Sequence, residues 1–109
     1  MNTDNNNKLK IEANNRVNEL IKKHISKLPI IGLIDVNGEE IKGKYLEDID
    51  LIVRVNINIH KVGLFNRDIC RVIGETIDEK IIVKKLEDDH VGIVEKRQVD
   101  LPMWLEYDL

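Results

Sequence analysis

The side chains best suited to chemistry in this sequence are three histidines and one cysteine, and their spacing indicates no shared site. His24, His60 and His90 lie far apart and show no ligand spacing such as H-x3-H. Cys70 falls in a predicted strand, where a small buried thiol is more common than a nucleophile. We therefore predict neither a metal ion nor any other cofactor.

Acidic residues give little support for catalysis. Asp48, Asp50 and Asp68 are the acids nearest the central turns, but they form no paired motif for metal-assisted hydrolysis. Asp50 is expected to cap a turn through its own backbone. We predict that the protein is not an enzyme.

A short polar turn at Asn66-Arg67 carries the strongest binding signal. The guanidinium of Arg67 can donate to a phosphate or stack on a base. A plain β-turn with a solvated arginine fits the same residues equally well. The turn is therefore a candidate RNA contact with a structural alternative.

Composition narrows the functional class. The chain has 109 residues, enough for one domain, and a net charge of −3, which argues against nonspecific binding along a nucleic-acid backbone. RNA held in a local basic pore or rim remains compatible with that charge. A single cysteine and the lack of a membrane-length apolar run predict a cytoplasmic protein with no membrane partner.

The N-terminal region predicts a disordered segment followed by a helix. Residues 1–7 are polar, and residues 8–27 place apolar side chains three and four positions apart, as on one helix face. Pro29 is expected to end this helix. Its other face could follow an RNA backbone, although a solvated face is the more common interpretation; that face carries Lys10, Lys22, Lys23 and Lys27.

The middle of the chain predicts short strands joined by tight turns. Residues 30–36 are mostly apolar and read as a strand buried on both faces, and Asn37-Gly38 is a strong hairpin signal. Residues 51–59 alternate, as in a strand with one buried face. Further predicted features are a strand over 39–45 bent at Gly43, a turn at 48–50, and short strands at 64–65 and 69–73.

The C-terminal third has a different pattern. Residues 79–86 and 91–96 predict a hairpin around the polar turn 87–90. The tail, residues 100–109, alternates acids with large apolar groups and contains Trp104. This tail could cover apolar surface within the chain or dock on a protein partner.

Two motifs at a fixed separation suggest a family. One has the form V-N-G-x-x-I-x-G followed by I-D-x-I-V, and the other begins at Phe65 and ends at Val72. The residues of the first are Val36, Asn37, Gly38, Ile41, Gly43, Ile49, Asp50, Ile52 and Val53. Together they resemble the Sm-like family, most closely its bacterial Hfq branch. The resemblance covers residues 8–74, with one extra residue between Gly43 and Asp50.

The resemblance implies a mostly β fold. Residues 8–74 would form an N-terminal α-helix and a small, five-stranded, bent Sm-like (SH3-like) barrel. Residues 75–109 would form a C-terminal β-hairpin extension and a tail. Such barrels close rings by pairing edge strands between copies. We expect a homo-oligomer, most simply a hexamer, with residues 51–59 and 69–73 as the edges.

The resemblance also implies a site and shows departures from the family pattern. The stacking Phe and the Gln of the family's pore are Leu51 and Ile52 here, and its adenine-stacking aromatic is Ile34. Uridine-rich RNA is therefore expected over adenine-rich RNA. The implied RNA contacts are Arg67, Asn66, Ile52 and Leu51 in the pore, with Lys22, Lys23 and Lys27 as secondary contacts.

Two functions follow from these observations. The first is an Hfq-like RNA-binding protein that acts as a homo-oligomeric ring in post-transcriptional regulation. The second is a protein-binding or scaffold module that keeps the barrel, has lost RNA, and docks through residues 100–109. Nucleic acid that copurifies with the protein would distinguish the first from the second.

Overall fold

The computed structural model describes residues 15–47 and 49–101, which form one N-terminal helix and a seven-stranded antiparallel sheet. Helix α1 covers residues 15–24. The strands are β1 (Ile25–Pro29), β2 (Gly43–Leu46), β3 (Ile52–Val55), β4 (Ile69–Thr76), β5 (Ile81–Lys85), β6 (Val91–Val94) and β7 (Val99–Asp100). Two 3-10 turns, η1 (His60–Val62) and η2 (Lys96–Gln98), precede β4 and β7.

The long strand β4 organises the sheet. Residues 69–71 pair with β3 and residues 74–76 pair with β2 on one edge, while β5 pairs along the other edge. Strand β7 returns to pair with β3, and η2 links it to β6. The predicted mostly β fold with an N-terminal helix is confirmed, but no pairing joins β6 to β7 among the described residues, so the sheet does not close into a barrel.

The predicted edges of the barrel also lie inside the sheet. Strand β4, which contains the predicted edge 69–73, has hydrogen-bonded neighbours on both sides. Strand β3 is shorter than the predicted 51–59 and lies between β4 and β7. Any pairing between copies would therefore use β1, β6 or β7.

The sheet buries side chains on both faces. One cluster joins Val17 and Ile21 of α1 to alternate residues of the strands, such as Val53, Val72 and Val83. A smaller cluster on the other face covers Ile82 and Val91 with side chains from the segment 30–41. Burial on two faces explains why the first three residues of β5, Ile81, Ile82 and Val83, are all apolar.

The predicted helix end is wrong. In the structure, α1 ends at residue 24, and Ile25–Pro29 form strand β1, which pairs with β2. The Ser26 hydroxyl donates to the Tyr45 carbonyl at 3.1 Å and accepts from the Leu28 amide at 3.2 Å. These tertiary contacts outweigh the local helical pattern.

The predicted buried strand over residues 30–36 is also wrong. Residues 30–36 form a single isolated β-bridge, from Ile34 to Glu40, and Ile31 is 78% exposed. Gly32 has φ of 75°, which breaks the extended conformation. The Asn37-Gly38 turn is confirmed, with Gly38 at φ 78°.

The predicted C-terminal hairpin is confirmed as β5 and β6. The Lys85 amide donates to the His90 carbonyl at 2.7 Å and closes the turn. The predicted boundary between the barrel and the C-terminal extension, between residues 74 and 75, falls within β4. Predictions for residues 1–14, Asp48 and residues 102–109, including Lys10 and Trp104, lie outside the described residues.

A candidate nucleic-acid interface at the Phe65–Arg67 turn

The loop from residue 56 to residue 68 leaves the sheet after β3 and returns to it at β4. Ile59 and Leu64 form a bridge, and the fully buried Leu64 fixes the loop to the core. Between them, η1 ends at Gly63 with φ of 67°. The His90 ring contacts η1 from the other side, with Nε2 2.7 Å from the Val62 carbonyl oxygen.

Hydrogen bonds fix the turn that follows. The Asp68 carboxylate accepts from the Phe65 amide at 2.8 Å, and the Arg67 amide donates to the Val55 carbonyl at 2.7 Å. The Asn66 amide donates to Asn58 Oδ1 at 2.9 Å. The predicted turn at 66–68 is thus confirmed, and its backbone is held from both sides.

Arg67 has an unusual backbone. Its φ is 78°, a left-handed conformation that costs most non-glycine residues about 1–2 kcal/mol. A strained residue in a well-fixed turn suggests a role for its side chain. The side chain is exposed.

An aromatic pair lies beside Arg67. Phe65 is 42% exposed, and its ring packs edge-to-face on His60 with centroids 5.5 Å apart. An exposed phenyl ring supported by a second ring offers a stacking surface for a base. We call Asn58, His60, Phe65, Asn66 and Arg67 the turn site.

The charge of the turn site comes from its basic residues. Asp68, the nearest acid, is 3.6 Å from the Lys85 ammonium, and both side chains are largely buried. Burial alone would lower the pKa of Lys85, but Asp68, Asp88 and Glu87 outweigh it and raise that pKa. Because Lys85 neutralises Asp68, the exposed guanidinium of Arg67 faces solvent without an acidic partner in the turn.

The structure separates the other predicted RNA contacts from the turn site. Leu51 and Ile52 are buried, with 4% and 8% of their surface exposed. Lys22 and Lys23 are exposed on α1, and Lys27 is exposed on β1. Of the predicted set, Asn66 and Arg67 are the two residues that belong to the turn site.

His60 and Phe65 were missed in the sequence analysis. The alternating pattern of residues 51–59 suggested one continuous strand that ends near His60, and Phe65 was placed in a short strand. The available signal was an aromatic residue between the apolar Leu64 and the polar Asn66, at the start of a turn.

The thiol and the acids show no catalytic arrangement in the described chain. Cys70 is fully buried. Asp50 is 3.6 Å from Arg71, away from Asp68. Within residues 15–47 and 49–101, no group of three or more His, Cys, Asp or Glu side chains could hold a metal ion.

The buried thiol of Cys70 is expected to lower the free energy of unfolding at alkaline pH. Burial, followed by the charge of Asp68, raises the thiol pKa from its ordinary 9.0 to about 11. Above pH 9.0 the unfolded chain loses this proton while the folded chain keeps it until pH is about 11, so the free energy of unfolding falls across this window. We expect a loss on the order of 2 kcal/mol from this group.

Urea denaturation of the wild type and Cys70→Ala at several pH values measures this contribution. The difference between the two proteins removes the titration of lysines and tyrosines. Parallel pH profiles for the two proteins would show that the thiol is not responsible.

Comparisons with protein-family models, with curated proteins and with solved structures each found no match to this chain. None of the helices in the described residues is long and apolar enough to cross a membrane. The function is therefore argued from the turn site itself.

Proposed function

We propose that this chain is a divergent Sm-like protein, similar to Hfq, that binds single-stranded RNA at the turn site and assembles as a homo-oligomeric ring. The observation that carries the proposal is an exposed ring, Phe65, on the same fixed turn as the exposed side chain of Arg67. Stacking and phosphate contact are the two components of single-strand binding.

The overall charge favours a local site. A chain with net charge −3 has little general attraction for a polyanion. Stacking on Phe65 supplies binding energy that does not depend on net charge, and Arg67 and Asn66 add contacts to phosphate or base edges. Uridine-rich RNA remains the preferred ligand because no aromatic residue stands at Ile34.

The mostly β fold with an N-terminal helix is compatible with a Sm-like relationship, although the sheet does not close into a barrel. Strands β3 to β7 follow one another around a single core, and β7 returns to β3 after the η2 turn. This is an antiparallel sheet preceded by a helix, which is the part of the implied fold that the chain retains.

Size-exclusion chromatography with light scattering tests the proposal. We expect the untagged protein to elute with the mass of several protomers and with excess absorbance at nucleic-acid wavelengths. A monomer that carries no nucleic acid and does not bind added uridine-rich RNA would contradict it.

A second candidate function is protein binding by the same fold. Four large apolar side chains in the segment before β2 are exposed by 40–78%, which is more than a solvated loop needs. They are Leu28, Ile31, Ile34 and Val36. The proposed docking tail begins with residues that the fold uses, since Asp100 pairs with Arg54 and Leu101 is buried.

The tail hypothesis is therefore tested by truncation after Leu101 rather than at residue 100. We expect the truncated chain to keep its unfolding midpoint, because β7 is retained. Loss of a partner with an intact midpoint would favour the docking function.

A further inference from the structure

The open half of one sheet face carries three cations on three neighbouring strands. Arg71 of β4 lies directly opposite Lys84 of β5 and, on its other side, opposite Ile52 of β3. Residues in register on antiparallel strands point to the same face, and so do residues two apart on one strand. Arg54 is therefore the diagonal neighbour of Arg71, and we call Arg54, Arg71 and Lys84 the cationic row.

The row is poorly neutralised within the chain. Arg71 is 3.6 Å from Asp50, but Asp50 is 84% exposed, so this ion pair is weak. Among the described residues, neither Arg54 nor Lys84 forms an ion pair within 4.0 Å. The acid opposite Arg54 is Asp100, whose carboxylate accepts a hydrogen bond from Asn56 at 3.2 Å.

The arrangement costs stability unless an anion covers it. Like charges directly opposite on neighbouring strands, as in Arg71 and Lys84, are destabilising. The segment 30–41 covers the neighbouring part of this face at Ile82 and Val91, and because Val91 pairs with Lys84 it borders the cationic row. A depression lined by Leu46, Ile49, Asp50, Arg71, Val72 and Ile73 opens beside Arg71.

The row is continuous with the turn site. The Arg67 amide bonds to the Val55 carbonyl, next to Arg54, and β4 begins two residues later at Ile69. Arg67 and Arg71 are four positions apart, which sets an upper limit of about 14 Å between their Cα atoms at ~3.6 Å per residue. That span fits within the ~4–16 nucleotides that a single-strand-binding site typically holds.

We infer that the cationic row binds the phosphate backbone of an RNA strand whose bases are held at the turn site. The inference rests on the proposed function and adds a second, separate surface to it. Arg71 and Lys84 contact consecutive phosphates, and Arg54 lies between them and the turn. The anion relieves the repulsion between Arg71 and Lys84.

Fluorescence anisotropy with labelled uridine RNA of about 12 nucleotides, over about 50 to 200 mM salt, tests the inference. Arg71→Gln/Lys84→Gln should lower affinity about tenfold at low salt and reduce the slope of log affinity against log salt by about 1.4, about 0.7 per phosphate. Lys42→Gln/Lys80→Gln removes the same charge from exposed positions elsewhere and should change neither quantity.

A variant that binds RNA more tightly cannot be explained by damage to the fold. Asp50→Asn frees Arg71 from its exposed partner and should strengthen binding by about threefold. Phe65→Ala should weaken binding about tenfold and leave the salt slope unchanged, because stacking releases no counterions.

The outcomes distinguish the two proposals. If Phe65→Ala weakens binding while Arg71→Gln/Lys84→Gln changes neither affinity nor slope, the cationic row is not an RNA surface and the turn site stands. If the row variants bind an acidic peptide less tightly but RNA equally well, the row belongs to a protein partner. If the wild type binds no RNA, both proposals are overturned.

Discussion

Replacing Arg67 by glutamate is expected to lower the affinity for uridine-rich RNA by about 30-fold or more at low salt. The change removes the proposed guanidinium contact and places a negative charge where the proposal puts a phosphate. The backbone strain at φ 78° is nearly the same for both side chains, so stability should change little. Anisotropy titration measures the affinity, and thermal unfolding measures the stability.

Arg67→Gly is the matched control for this position. Glycine adopts the left-handed conformation without strain, which stabilises the folded chain. Its greater conformational entropy stabilises the unfolded chain and offsets part of this gain. We expect a net gain of roughly 0.5–1 kcal/mol in stability. RNA affinity should still fall about tenfold, since the guanidinium is absent. A more stable variant that binds less RNA would assign Arg67 to function. Unchanged affinity in both variants would rule out a contact from Arg67.

Replacing Gly74 by alanine is expected to cost about 3 kcal/mol of folding free energy or more. A Cβ at Gly74 would overlap the carbonyl oxygen of Lys44 and lie 2.8 Å from Ile30 Cδ1. The same holds at Gly43, where a Cβ would overlap the Glu75 carbonyl oxygen. Strands β2 and β4 approach closely at these glycines, so either substitution must separate the strands.

Gly38→Ala is the control for Gly74→Ala. Gly38 also lacks a side chain and has φ of 78°, but nothing lies within 4 Å of its Cβ position. We expect it to cost only about 1 kcal/mol, from backbone strain alone. Urea denaturation measures both variants. Equal costs at Gly38 and Gly74 would contradict the close approach of β2 and β4.

Much of the local structure could be predicted because it depends on local chemistry. The Asn37-Gly38 turn, the turn at residues 66–68 and the hairpin of β5 and β6 are all confirmed. In each, a polar or glycine residue stands where the chain must reverse. Gly43 was predicted to mark a bend, and in the structure it lies where β2 comes close to β4.

The larger arrangement could not be predicted because it depends on distant contacts. Residues 25–28 continue a helical pattern, yet they extend because β2 is available as a partner. Val99 and Asp100 carry no strand signal of their own, and they form β7 only because β3 has a free edge. Pairings between residues far apart in sequence leave no periodic trace in either segment.

The turn site shows the same limit. Asn66 and Arg67 were found because they are adjacent in sequence. His60 and Phe65 meet across the η1 turn, and their contact depends on the Ile59 to Leu64 bridge and on burial of Leu64. The cationic row is harder still to predict from sequence, because the register of three strands is needed to align Arg54, Arg71 and Lys84.

Photo-crosslinking tests the central claim most directly, because it maps RNA contacts whatever the oligomeric state. Single-stranded RNA containing 4-thiouridine is irradiated with the wild-type protein, and crosslinked peptides are identified by mass spectrometry. We predict crosslinks at the turn site, with Phe65 as the principal position and a marked loss in Phe65→Ala. Crosslinks confined to α1 or to the exposed residues 28–36, with none between 58 and 67, would contradict the account.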